Sequence, residues 1–347
     1  MTDAATLLDA CRAVGEDEAA RAAIVAALVA YERHPERRFT NVRDEVTGPI
    51  ADALHAGCGT LRKTLANGLV FEFLYSSKIA RDFVLSTPAV PDHVWEPQTT
   101  RLLIHLAAQG GDAIVGGAYF GDQAIPLAHA LGGRGLCHCF EPDGAQAEML
   151  ARNASLNGLE NLRVDRRALW NEAGATLRFV GADAYGRTVP SEEGIPTTSI
   201  DAYAEEQGIA RIGLIMLDLE GSEHAVLQGG EAALRRDGPP IVFEIHRSYV
   251  DWTEGLERTE IARFLAGLGY ALFAVRDFQS NYDMAGRPIE LVPIATAVTD
   301  GPPHGFNVLA VRHPSMVEDP IFRVVPGVSP KLLLHRDPKL HHPTGGL

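Results

Sequence analysis

Four ionisable residues close two apolar runs in a pattern suited to proton transfer. Asp218 and Glu220 end "LIMLDLEG", and Glu244 and His246 end "IVFEIH". If both runs are strands, the two-residue alternation puts each pair on one face. Neighbouring parallel strands finish at the same sheet edge, so the two pairs converge on one pocket. A carboxylate or imidazole there can take the proton of a reacting hydroxyl, with His246 the first candidate for general base and Asp218 the next. Asp218, Glu244 and His246 also offer ligands for a divalent cation such as Mg2+, which would make a hydroxyl more acidic. They lack the tight spacing of a dedicated site, and no metal is assigned. His304, in "PPHGFN", precedes a further strand and is a candidate to face the same pocket. There is no evident catalytic serine or cysteine motif.

A second constellation lies upstream. In "DAIVGGAYFGDQAIPLAHAL", Asp112 to Leu131, three glycines sit where an apolar run gives way to an amphipathic one. Such a strand-to-helix bend lets a ligand approach the backbone amides closely. Glu141 follows in "HCFEPD", where an acid at a strand end can accept both hydroxyl hydrogens of a ribose. Together the two elements predict a ligand with an adenosine ribose. The glycine spacing is G-G-x-x-x-G, not the G-x-G-x-x-G of dinucleotide sites. Asp122 adds a negative charge in the first helical turn, which repels a pyrophosphate and tolerates a sulfonium. Both features favour S-adenosylmethionine over the NAD of an oxidoreductase.

The segments "AYFGDQAIPLA", "FEPDGAQAEMLARNASLNGLENLRVDRRAL", "TTSIDAYAEE", "LIMLDLEGSEHAVLQGG" and "IVFEIH" together resemble the FkbM family of S-adenosylmethionine-dependent methyltransferases. The resemblance covers about residues 95 to 312. It implies a class I (Rossmann-like) α/β fold, a seven-stranded, mostly parallel sheet with an antiparallel last strand. It also implies O-methylation of a hydroxyl on a small molecule or sugar-containing secondary metabolite. Carried over by position, Gly117, Ala118, Tyr119 and Gly121 form the cofactor loop, and Glu141 with Pro142 holds the ribose side. Asp143 lies beside the adenine, Ala168 and Leu169 line the base pocket, and Asp218 sits at the active-site end of the fourth strand. The chain departs from the family at Val115, where an acid is usual, at Tyr119 for asparagine, and at Met216 for lysine. The loop thus loses a usual anchor, with Asp112 and Asp122 as the acids at hand to replace it. A non-catalytic protein that keeps the fold is the other reading of these departures.

The 347 residues carry a net charge of -14, which disfavours nucleic acid and anionic membranes as partners. The expected partner is a small-molecule acceptor. Lysines occur only at Lys63, Lys78, Lys331 and Lys339, so the span between holds no amine for a Schiff base. Cys137 and Cys139 alternate with His138 and read as small core residues, with two more cysteines at Cys11 and Cys58. Without a signal peptide or an apolar stretch long enough to span a bilayer, a reducing, cytoplasmic setting is the default.

The elements that must position these residues begin at Trp95, where strands and amphipathic helices start to alternate, the mark of a largely parallel sheet covered on both faces. Helices are expected over 98–109, 121–131 and 143–157, one long helix over "SEHAVLQGGEAALRRDG", and a polar loop over Gly181 to Pro196. "FNVLAVR" is the expected final strand. Ser222 is a plausible N-cap, and His224 reads as structural. Trp95, Tyr249, Trp252, Phe278 and Tyr282 are candidates to line the acceptor pocket. Residues 1–94 read as a mainly helical cap or oligomerisation segment, able to form a homodimer face, with helices over 4–32 and Pro49 to Gly68. Residues 313–347 form a C-terminal extension.

Overall fold

The computed structural model describes residues 4–34, 42–180, 187–284, 286–299 and 305–332. His304 lies outside the described residues. The chain divides into two compact units, one comprising the described residues up to Pro97 with Phe278–Met284, the other Gln98–Asp277 with the described residues from 286 to 332.

In the first unit the helix expected over 4–32 is two, Ala4–Gly15 and Glu18–Glu32. Asp17 makes the break by capping the second, its carboxylate accepting from the amides of Ala19 and Ala20. The helix expected from Pro49 ends at His55, before Gly57 and Gly59, and Thr60–Thr64 is a strand paired antiparallel with Val70–Leu74. Phe71, Phe73, Phe83 and Leu54 fill this unit's core.

The second unit is built on a nine-stranded sheet. Its strands are β1 (Asp112–Gly116), β2 (Cys137–Phe140), β3 (Leu162–Asp165), β4 (Ile212–Leu217), β5 (Ile241–His246), β6 (Ala271–Val275), β7 (Ile289–Pro293), β8 (Gly305–Val311) and β9 (Phe322–Val324). They are ordered β9-β7-β6-β8-β5-β4-β1-β2-β3. The first five in sequence are mutually parallel, and β8 inserts antiparallel between β5 and β6. Seven of these strands, β3-β2-β1-β4-β5-β8-β6, make a mostly parallel sheet with one antiparallel strand, as the sequence resemblance implies. Two strands exceed the seven expected: β7, in a stretch read only as turn-rich, and β9, beyond Arg312.

Helices α1 (Pro97–Ala107), α2 (Ala124–Leu131), α3 (Gly144–Leu156), α4 (Ile200–Gln207), α5 (Glu223–Gln228), α6 (Glu231–Asp237) and α7 (Glu260–Gly267) connect the strands. The single helix expected after Ser222 is broken into α5 and α6 at Gly229–Gly230. A Cβ on Gly229 would lie 2.4 Å from the Trp170 carbonyl oxygen, so the chain turns there to clear its neighbour. The region expected as polar loop instead supplies Arg187–Pro190 and Ile195–Thr198 to a small four-stranded sheet with Ala168–Leu169 and Thr176–Val180.

Register sets up the site. Gly116 is level with Phe140 on one side and Leu217 on the other, and Leu217 is level with Phe243. The turns that follow β1, β2, β4 and β5 therefore open at one edge, and the sheet order reverses between β1 and β4, where α/β folds bind ligands. Ile114, Phe140, Ile215, Leu217 and Phe243 are buried beneath it. Cys137 and Cys139 are buried free thiols within this core.

Helix α1 is tied to the strand after it in space by Asp277, whose buried carboxylate accepts from the amides of Gln98 (3.0 Å) and Thr99 (2.7 Å). Helix N-terminal amides have no partner within the helix, so such a carboxylate stabilises the first turn. Asp277→Ala is expected to cost about 1–2 kcal/mol and to lower the thermal midpoint by roughly 2–6 °C, read by circular dichroism.

Candidate active site

The turn after β1 runs Gly117 to Gly121. Gly117 has φ +74°, and a Cβ there would fall 1.8 Å from the carbonyl oxygen of Asp218, so only glycine fits. This closeness is held by the amide of Asp218 donating to the Gly116 carbonyl (3.0 Å) and that of Gly117 donating to Phe140 (3.0 Å). Gly121, at φ +96°, presses against Ile125 and Leu150. Between them Tyr119 takes φ +48°, a left-handed backbone that a non-glycine residue adopts only when its surroundings hold it there.

Glu141 does the holding. It follows β2, is 6% exposed, and its Oε2 accepts from the Tyr119 amide (2.8 Å) while Oε1 accepts from the Asp143 amide (2.9 Å). Burial pushes its carboxyl up to about 7, against the pull of those two amides, with Asp143 and Asp122 adding repulsion. Each oxygen keeps lone-pair capacity toward the open edge of the sheet. Asp143, expected beside the adenine, caps α3 with Oδ1, which accepts from the amides of Ala145 and Gln146. Pro142 is half-buried between the two acids. Ala168 and Leu169 are buried, and Leu169 packs against the bare Cα of Gly116.

Across the switch point, Asp218, Glu220 and Glu244 are half-buried and bring carboxylate oxygens within 4.8 Å of one another. That donor set could hold a divalent cation or share a proton. It differs from the expected metal set by having Glu220 in place of His246. Glu220 has φ +51°, and its carboxyl is raised by burial although the Tyr249 hydroxyl donates to it. The loop carrying it is fixed by Glu223. Its buried carboxylate accepts from the amides of Leu219 (2.7 Å) and Gly221 (3.1 Å), and burial pushes it up to about 7. Ser222, the expected cap, makes no side-chain cap bond.

His246 is half-buried on β5, and its Nδ1 accepts from the Ser248 amide (3.0 Å). A neutral imidazole has one acceptor nitrogen, so its proton resides on Nε2 and the ring presents a donor. In this tautomer the ring offers a donor at Nε2 where the sequence led us to expect a general base. Glu244 and His246 both crowd Gly305 on β8, where a Cβ would lie 2.6 Å from Glu244 Oε1 and 2.5 Å from His246 Cδ2. His224 is structural, 3.6 Å from Glu260 and edge-on to Phe264. Trp252 packs on Phe306, whereas Trp95, Phe278 and Tyr282 belong to the first unit.

Residues 116–272 match the model of the methyltransferase FkbM domain, from the glycine turn through β4 and β5. The match to that family spans less than half of the chain, and the sheet has the parallel order with one antiparallel insertion that the sequence resemblance implied. A solved FkbM methyltransferase from Methylobacillus flagellatus is 20% identical over 39% of this chain and 32% of its own length, with a TM-score of 0.28. TYW2 of M. jannaschii, solved in complex with AdoMet, is 13% identical over 72% of this chain and 84% of its own, TM-score 0.40. The O-methyltransferase TomG from Streptomyces achromogenes, solved with SAM, is 14% identical over 62% and 80%, TM-score 0.36. No curated protein sequence matches the chain.

Gly117→Ala must force β1 and β4 apart at their carboxyl ends. The variant is expected to lose adenosyl-ligand binding altogether and to unfold several degrees lower, read by calorimetry and thermal shift.

Proposed function

We propose that the protein transfers the methyl group of S-adenosylmethionine to a hydroxyl of a small-molecule acceptor. The observation that carries this reading is Glu141. Its carboxylate stands at the end of β2 beside a turn that only glycine can make, which suits a ribose diol gripped against close backbone amides. A bound sulfonium supplies an already activated methyl group, so the chain has to align the acceptor oxygen in line with sulfur and remove its proton. As the C–O bond forms and the C–S bond breaks, the hydroxyl proton passes to a carboxylate of the Asp218, Glu220 and Glu244 group. His246 donates Nε2–H to orient the acceptor oxygen. The products are a methyl ether and S-adenosylhomocysteine.

The need for a proton acceptor favours oxygen nucleophiles, and three carboxylates beside the cleft suit polyhydroxylated acceptors such as sugar-containing metabolites. The net charge of -14 supports a small molecule over nucleic acid or an anionic membrane. Among the described residues no helix is long and apolar enough to cross a membrane, in keeping with the cytoplasmic setting we assign. Residues 1–94 are assigned as a cap or subunit contact, and a divalent cation on the three carboxylates is the variant of the mechanism that a chelator would inhibit.

The reading is tested by titrating the purified protein with S-adenosylmethionine and NAD in a calorimeter, then assaying S-adenosylhomocysteine release with a panel of sugar and phenol acceptors. Binding of NAD alone would overturn the cofactor, and binding without turnover on any acceptor would favour a non-catalytic role. Glu141 sets the pH dependence. Its ionised form accepts both ribose hydroxyls, and its carboxyl lies at about 7. Cofactor affinity is therefore expected to level off above pH 7 and to fall up to tenfold per unit below it. Glu141→Gln should weaken binding about 10–100-fold and flatten that profile.

A further inference from the structure

The first unit holds a cavity of about 510 Å³, a size that suits a small organic molecule. It lies between the turn 15–17, which joins the helices Ala4–Gly15 and Glu18–Glu32, and the loop 56–59 that follows the helix Gly48–His55. One side is fixed by close packing. A Cβ on Gly15 would fall 2.1 Å from the Leu54 carbonyl oxygen, so turn and helix end meet backbone to backbone. The loop, by contrast, is bare. A Cβ on Gly57 or Gly59 would meet nothing within 4 Å, and neither residue has a positive φ, so neither packing nor backbone geometry calls for glycine there. What the two glycines leave is room.

Two guanidinium groups line that room. Arg21 donates from Nη1 to the Gly15 carbonyl and has no ion-pair partner among the described residues, which leaves most of its N–H donors unused. Arg12 pairs with Asp9 in an exposed contact, a kind of ion pair that contributes little and is readily exchanged. Leu54, Ala56 and Leu61 give the cavity an apolar surface, and Glu16 adds one exposed negative charge to its wall. We infer that the cavity binds a small amphipathic anion, a monocarboxylate whose head group pairs with Arg21 and replaces Asp9 on Arg12 while its apolar body covers Leu54, Ala56 and Leu61. Glu16 opposes a second negative charge, so nucleotides and other polyanions are selected against. A bare anion would leave the apolar surface wet and gain nothing from it. The site lies wholly within the first unit and does not depend on what the second unit transfers.

Cys58, half-buried in the cavity wall, provides the readout. The full-length protein is alkylated with iodoacetamide in the presence of acetate, pentanoate, phenylacetate, phenylacetamide or inorganic phosphate, and each cysteine is followed by mass spectrometry. Phenylacetate at about ten times its dissociation constant should slow alkylation of Cys58 about tenfold. Cys11, which is not part of the cavity wall, should react at an unchanged rate. Phenylacetamide has the same shape without the charge, and should need at least about tenfold more for equal protection. Arg21→Gln should raise the phenylacetate requirement about 10–100-fold. Equal protection by phenylacetate and phenylacetamide in the wild-type protein, which needs no variant to fold, overturns the inference. So does equal protection by phosphate and phenylacetate, or no protection by any of the three carboxylates. Each outcome is independent of S-adenosylmethionine binding, so the cofactor assignment stands or falls separately.

Discussion

The site depends on one buried carboxylate that bridges two turns. Glu141 takes the amide of Tyr119 with one oxygen and that of Asp143 with the other, which fastens the bend after β1 to the start of α3. Neither turn is self-sufficient. Tyr119 is held at φ +48°, a backbone worth roughly 1–3 kcal/mol of strain, and α3 relies on Asp143 being placed to cap it. Charge-assisted bonds of this kind are about twice as strong as neutral ones, enough to hold the strained residue. Their cost is a carboxylate taken out of water, which is why its proton affinity rises. A ligand that brings hydroxyl donors returns part of the lost solvation, so the preformed site is poised to be completed.

On the far side of the switch point, negative charge is concentrated with similar economy of space. Gly305 gives up its side chain so that Glu244 and His246 can both lie over β8. Glu223 spends its carboxylate on two loop amides and so fixes Glu220 at φ +51°. Three half-buried carboxylates lie close together here, and burial raises the proton affinity of Glu220. Beside them the imidazole of His246 accepts from the Ser248 amide.

Much of this was legible in the residues. Glycines at the β1 turn, an acid at the end of β2 and alternating acids at the ends of β4 and β5 follow from strand periodicity and turn chemistry, which act over a few residues. What was hidden depends on partners far along the chain. The break at Gly229 is imposed by the Trp170 carbonyl, the requirement for glycine at 305 by side chains on β5, and the use of 187–198 as strands by pairing with Thr176–Val180 and Ala168–Leu169. The tautomer of His246 was hidden for a more local reason, since it depends on whether the chain turns back at Ser248. Ser222 was read as a cap but has a helical backbone, whereas Asp143, read as lying beside the adenine, has the β-region backbone that aims its side chain at the helix amides.

The sheet is wide, and its margins are built against self-association. An open strand edge is a template on which a second sheet can grow. Here β9 at one margin has three residues and β3 at the other has four. Each carries an arginine with an exposed side chain, Arg323 beside Glu290 and Arg163 near the Glu160 carbonyl. An incoming strand would find few free amides and would have to bury a guanidinium to use them. The two strands added beyond Val275 thus move the vulnerable edge of the sheet to a place where polymerisation gains little.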